Sequence, residues 1–242
     1  MRVDALAITL RPRRMSEAAD LGQQLVQVHA RSLWRCYLPA WGLLVLLSMA
    51  TIEIGGWLPG LLIFWGKPWL DRTLLFVLSR AVFGEGTTVS DLWTARSDVL
   101  LRAPWRTFVT ARLSPWRAFT QPISQLEGQR GAAGRKRRAV LLGGQRGVAA
   151  GLQFVYAHLE LVMVSALVAF AAWFLPDSLR AELWELYRDG ESLATQGAMT
   201  LLYAAVVLVL EPFYVASGFA MYLNRRVELE AWDIEQEFRH EF

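Results

Sequence analysis

The chain has 242 residues, 54% of them apolar, a formal net charge of +3 and one cysteine, with a mean hydropathy of +0.28. Its apolar residues gather in long runs between charged stretches, which excludes an ordinary soluble globular domain and points to a polytopic membrane protein. The single Cys36 excludes an intramolecular disulfide and a zinc site built on this chain's own cysteines.

Residues 1–37 are expected on the cytoplasmic face. The first ten carry Arg2 and Asp4 and lack an apolar core, so no cleaved secretory signal is expected. Ser16 caps a helix predicted through Leu33, with Leu21, Leu25, Val28 and Leu33 on one face and Gln23, Gln24, Gln27 and Arg31 opposite. That pattern reads as an interfacial amphipathic helix. The first span is expected at 38–54, with Pro39 in its opening turn. Arg11, Arg13, Arg14, Arg31 and Arg35 precede it, so the N-terminus is placed inside.

Gly55-Gly56 then turns the chain into 57–84, WLPGLLIFWGKPWLDRTLLFVLSRAVFG, long enough for a second crossing. Lys67, Asp71, Arg72 and Arg80 fall within it. Charges at such depth are costly, so they pair with one another or line a polar route. Pro68 removes a backbone donor and clashes with the carbonyl four residues back, so a broken span is expected there. A re-entrant arm followed by a short helix is the alternative. The next region favours a crossing. From Glu85 to Arg146 there are eleven Lys/Arg against four Asp/Glu, the mark of a cytoplasmic loop (85–147) and of an even number of crossings before it.

Within that loop, Val89, Leu92, Trp93, Val99, Leu100 and Leu101 suggest a short surface helix. Pro104, Pro115 and Pro122 break the chain into turns beyond it, and Gly128, Gly131 and Gly134 suggest a mobile segment. The run Arg135, Lys136, Arg137 and Arg138 is a topology signal or a contact for anionic lipid. Nucleic acid is not an expected partner, because residues 130–146 hold no interleaved aromatics.

The third span is expected at 148–175, with His158 and Glu160 in its middle third. An acidic amphipathic segment at 176–196 comes next, on the outer side, where Leu179, Leu183 and Leu186 form its apolar face. The fourth span, 197–223, is expected to be broken at Pro212, next to Glu211. Residues 224–242 form a charged, helix-favouring cytoplasmic tail. The fold class is thus all-α, with about four transmembrane helices, two of them broken, and both termini inside.

The intramembrane set Lys67, Asp71, Arg72, Arg80, Glu160 and Glu211 is the sharpest signal. It either neutralises itself and holds the helices in register or lines a polar path. His158 and Glu160 are two apart on a helix and diverge, so they make a poor metal pair. No nucleophile–base pairing, phosphate loop or dinucleotide fingerprint is present. No catalytic site, cofactor or metal is therefore expected.

The stretches RPRRMSEAADLG, WGKPWLDRTLLFVLSRAVFGE, WRAFTQPISQLEGQRG and EPFYVASGFAMYLNRRVELEAWDIE resemble a family of bacterial polytopic inner-membrane proteins. Members are encoded beside a MoxR-type ATPase and von Willebrand-domain proteins. The C-terminal part is also similar to the membrane domains of the YciC and glycerophosphodiester phosphodiesterase type, through Pro212-Phe213, Tyr222, Arg225-Arg226 and Glu228 to Glu235. The resemblance supplies no catalytic residues and implies an inner-membrane component working with neighbours. The chain thus has two functional readings. One is a non-enzymatic scaffold or assembly subunit, associating with lipids, other membrane proteins or itself, and meeting a cytoplasmic partner through the C-terminal helix. The other is a transport or lipid-handling subunit that uses the charges as a path.

Overall fold

The computed structural model describes residues 13–99, 112–174 and 192–230, with Pro176 and Glu185. Nine helices form among these residues: α1 (Met15–Val28), α2 (Ala30–Met49), α3 (Leu58–Ala81), α4 (Val89–Thr94), α5 (Arg96–Val99), α6 (Arg117–Gln125), α7 (Gly131–Leu141), α8 (Arg146–Phe174) and α9 (Leu193–Glu230). No described residue lies in a strand. The expected outer segment at 176–196 lies mostly outside the described residues, and so does the tail from 231 onward.

Helix α9 is the axis of the molecule. Its 38 residues run for about 57 Å at the α-helical rise, and α1, α2, α3, α6 and α8 all pack on it. Helices α1 and α2 run alongside it in the opposite direction for nearly its full length. Asn224 clasps the backbone of Arg13 with two 2.9 Å hydrogen bonds, accepting from its N–H and donating to its carbonyl. The Ser217 hydroxyl donates to the Ala19 carbonyl, the Tyr37 hydroxyl to the Val207 carbonyl, and Trp41 Nε1 to the Ala204 carbonyl.

The helix expected at 16–33 is divided between two elements. Helix α1 ends at Val28, His29 makes a one-residue turn, and α2 begins at Ala30. Helix α1 packs along α9 and buries Leu25 of the expected apolar face, while Val28 is exposed. At Gly22 a Cβ would stand 2.3 Å from the Ala216 carbonyl oxygen, so only glycine allows this approach. Because Leu33, Cys36 and Tyr37 are fully buried, tertiary packing carries α2 back eight residues before the expected start at Leu38. Pro39 then falls inside the helix.

Two expected breaks of long helices do not occur, and Pro122, expected in a turn, lies inside α6. Helix α3 continues through Pro68 and α9 through Pro212. Proline removes one hydrogen bond and crowds the carbonyl four residues back. Here the flanking turns are held on several sides, since Ile63, Leu70 and Leu74 on α3 and Val207 and Ala216 on α9 are fully buried. The local loss is therefore absorbed within a continuous helix.

Helices α2, α8 and α9 are long and apolar enough to cross a membrane. Helix α3 has the length, at 24 residues, but carries Lys67, Asp71, Arg72 and Arg80. Helix α8 buries almost nothing: Leu161, Phe170 and Trp173 are 65%, 63% and 80% exposed. A helix that is apolar all round and uncovered suits hydrocarbon rather than water.

The basic loop is more ordered than its glycines suggest. Thr88 and Asp91 form a reciprocal capping box that starts α4. Gly128 and Gly131 adopt positive φ, and α7 then runs through the whole basic run. Gly134 is buried where a Cβ would sit 2.9 Å from the Gln129 carbonyl oxygen.

Candidate functional site

Four helices deliver five charged side chains to one buried chain of ion pairs. From α8, Glu160 accepts hydrogen bonds at both oxygens from Lys67 Nζ of α3, at 2.7 and 2.8 Å. The same Nζ lies 2.9 Å from Glu211 Oε2 of α9. The other Glu211 oxygen takes a 2.5 Å contact from Arg117 Nη2 of α6. Arg117 Nε lies 2.6 Å from Asp71 Oδ2, as an ion pair rather than an aligned hydrogen bond. Lys67 and Asp71 are one turn apart on α3, yet each takes a different counter-charge.

Burial makes this arrangement costly to open. Side-chain exposure is 0% for Asp71, 2% for Arg117 and 3% for Glu211. The Tyr214 ring faces the Arg117 guanidinium at 5.0 Å. Its hydroxyl accepts from the Ala118 N–H and donates to Gln153 Oε1. The start of α6 is thereby fastened to both α9 and α8. Close approach makes this possible: a Cβ at Gly218 would lie 2.3 Å from the Ala118 Cβ.

The structure brings Lys67, Asp71, Glu160 and Glu211 together, as the sequence suggests. It does not bring Arg80, which pairs at 3.3 Å with Glu85 at the half-exposed end of α3. Arg72 is buried, and its main-chain carbonyl accepts from Gln125 Nε2. His158 is exposed and its ring meets the Phe154 carbonyl. Arg117 is the member that sequence reasoning misses, because it lies in a proline-rich, basic stretch that reads as a loop. The signal available was Trp116-x-x-Phe119 around it, an apolar pair one turn apart.

A second cluster ties the other end of α9 to α7. Arg137 Nε lies 2.9 Å from Glu127 Oε2, and Arg137 also contacts Glu230. Arg226 Nη2 lies 2.6 Å from Glu230 Oε2, and the Tyr222 hydroxyl donates to Glu127 Oε1 at 2.6 Å. Partial burial pushes the Glu230 carboxyl up, but hydrogen bonds from Arg226 and Arg137 outweigh it and hold the group below its ordinary value. Hydrogen bonding to Glu127 raises Arg137. Arg137 is therefore committed within the protein, whereas Arg135 and Lys136 are exposed.

Beside the charge chain lies a cavity of about 970 Å³ between α3, α8 and the first half of α9. Leu61, Phe64, Leu161, Val164 and Met199 line it, and Glu160 and Arg112 supply its charged positions. Comparison with family models, curated proteins and solved structures finds no match to this chain.

Proposed function

We propose that this chain is a non-enzymatic scaffold or assembly subunit of a bacterial inner-membrane complex. In this reading α2, α3, α8 and α9 are its four crossings and both termini face the cytoplasm. The alternating directions of α2, α3, α8 and α9 support the threading, and so does the basic bias of residues 85–147.

The observation that carries the reading is the closure of the buried charges on one another through Arg117. A conducting route needs charged groups that water or a solute can reach. Here Asp71, Glu211 and Arg117 are sealed, and their geometry suits a lock. It joins the segment after residue 112 to two crossings, so that the cytoplasmic end of α9, α7 and the spans move as one piece. The uncovered sides of α8 are then available to lipid and to neighbouring membrane helices.

Purification from native membranes in mild detergent, with mass determination of the intact particle, tests this. A second protein in fixed ratio is the expected result. A particle made only of this chain would contradict the scaffold reading.

A further inference from the structure

The cavity beside the charge chain has a feature the scaffold reading does not use. Arg112 lines it, half-buried, with its guanidinium carbon 3.5 Å from the centroid of the Phe64 ring. Its Nε is buried without a hydrogen-bond acceptor, and no carboxylate among the described residues pairs with it. Among the described residues, the two cations of the charge chain are paired: Lys67 holds Glu160 and Glu211, and Arg117 holds Asp71 and Glu211. An arginine stacked on an aromatic face presents its N–H edge outward, in the plane suited to an oxyanion.

The remaining walls are largely apolar, with Gln153, Thr195, Gln196, Thr200 and Tyr203 as their polar positions. Leu61 and Phe64 come from α3, Leu161 and Val164 from α8, and Met199 from α9. At about 970 Å³ the space lies at the upper end of the roughly 300–1,000 Å³ typical of ligand sites. Glu160 also borders it and is hydrogen-bonded through both oxygens to Lys67, while Arg112 makes no direct ion pair with a carboxylate of the described residues. A largely apolar groove with polar side chains and an arginine that no carboxylate directly pairs matches an acyl chain carrying a polar, anionic head.

We propose that this groove binds an anionic membrane phospholipid, its phosphodiester seated on Arg112 and an acyl chain lying against Leu61, Leu161, Val164 and Met199. The site is distinct from the exposed Arg135 and Lys136, and it stands whether or not the chain proves to be a scaffold.

The test is lipid binding by the purified, delipidated full-length chain, read by native mass spectrometry. Phosphatidylglycerol and phosphatidylcholine of matched acyl chains are the probes. The wild-type protein is expected to retain one phosphatidylglycerol in preference to phosphatidylcholine. Arg112→Gln is expected to weaken phosphatidylglycerol about tenfold or more, the scale of a lost charge-assisted hydrogen bond. Arg112→Lys is expected to keep part of the preference. Ala157→Trp, which fills the groove and leaves Arg112 intact, is expected to exclude the lipid. Thermal melting of each variant separates lost binding from lost folding. Equal retention of the two lipids overturns the proposal, as does unchanged binding by Arg112→Gln. Loss of binding in Arg135→Gln/Lys136→Gln alone reassigns the lipid to the surface and overturns it. Displacement of the lipid by equimolar glycerol phosphate assigns the site to a soluble phosphate ester and overturns it too.

Discussion

Lys67 and Arg80 sit on the same helix with the same sign of charge, and the structure gives them opposite weight. Lys67 is the sole contact of Glu160 in the charge chain and one of two cations on Glu211. Lys67→Met would strand those carboxylates in a buried site, and loss of one partner from a buried pair costs about 3–5 kcal/mol. A fall of that size in unfolding free energy in detergent is the expected result. Arg80 pairs with Glu85 at a half-exposed end. Arg80→Gln is expected to change stability by no more than about 1 kcal/mol. Glu230 adds a pH dependence. Its carboxyl is held below the ordinary value when folded, so its contribution is present above the unfolded carboxylate pKa, about 4.3. It is lost as pH falls through the depressed folded value. Melting temperature should therefore drop on acidification below about pH 4, and Glu230→Gln should flatten part of that drop. The buried charges were legible in the sequence because each interrupts a long apolar run. Arg117 was not, because its one local mark, the Trp116-x-x-Phe119 pair, lies in a stretch whose prolines and basic residues read as a loop.

At the scale of elements, two glycines decide which helices touch. Gly22 lets α1 lie against the α9 backbone at Ala216, and Gly218 lets α6 lie against it at Ala118. A methyl group at Gly218 would have to displace α6 main chain and, with it, Arg117. Gly218→Ala is expected to cost about 1–3 kcal/mol, the usual range for overpacking, and to raise protease sensitivity after residue 112. Cleavage and melting indistinguishable from wild type would argue against this contact. The long apolar helices were readable from periodicity and run length, whereas their ends and continuity, and the existence of α6 and α7, were not. Breaks at Pro68 and Pro212 are what the local cost of proline alone predicts. The packing of Leu70, Leu74, Val207 and Ala216, which holds both helices together, leaves no local mark in the sequence. The glycines around residue 131 mislead for a similar reason, since the positive φ of Gly128 and Gly131 builds a turn that starts α7.

For the whole molecule, α9 acts as a spine on which the chain's first and central segments are both fastened. The proposed threading predicts that, in a Cys36→Ser background, a cysteine at Ser90 or Arg135 is labelled only from the cytoplasmic side and one at Ile54 only from outside. Labelling of position 54 from inside would overturn the threading. Four apolar stretches and a basic central loop were visible from composition. The descent of residues 112–125 against α3 and α9 was not, because it depends on partners more than ninety residues away, such as Arg117 with Glu211. A scaffold of this design depends on the Arg117 contacts being a lock. The measurement that tests it most directly is a double-mutant cycle on Asp71→Asn and Arg117→Gln, read by unfolding of the full-length protein. Each single change is expected to destabilise strongly. The double variant is expected to be more stable than the sum of the two predicts, with a coupling between about 0.5 and 3 kcal/mol. Singles that unfold like the wild type, or effects that simply add, would contradict it.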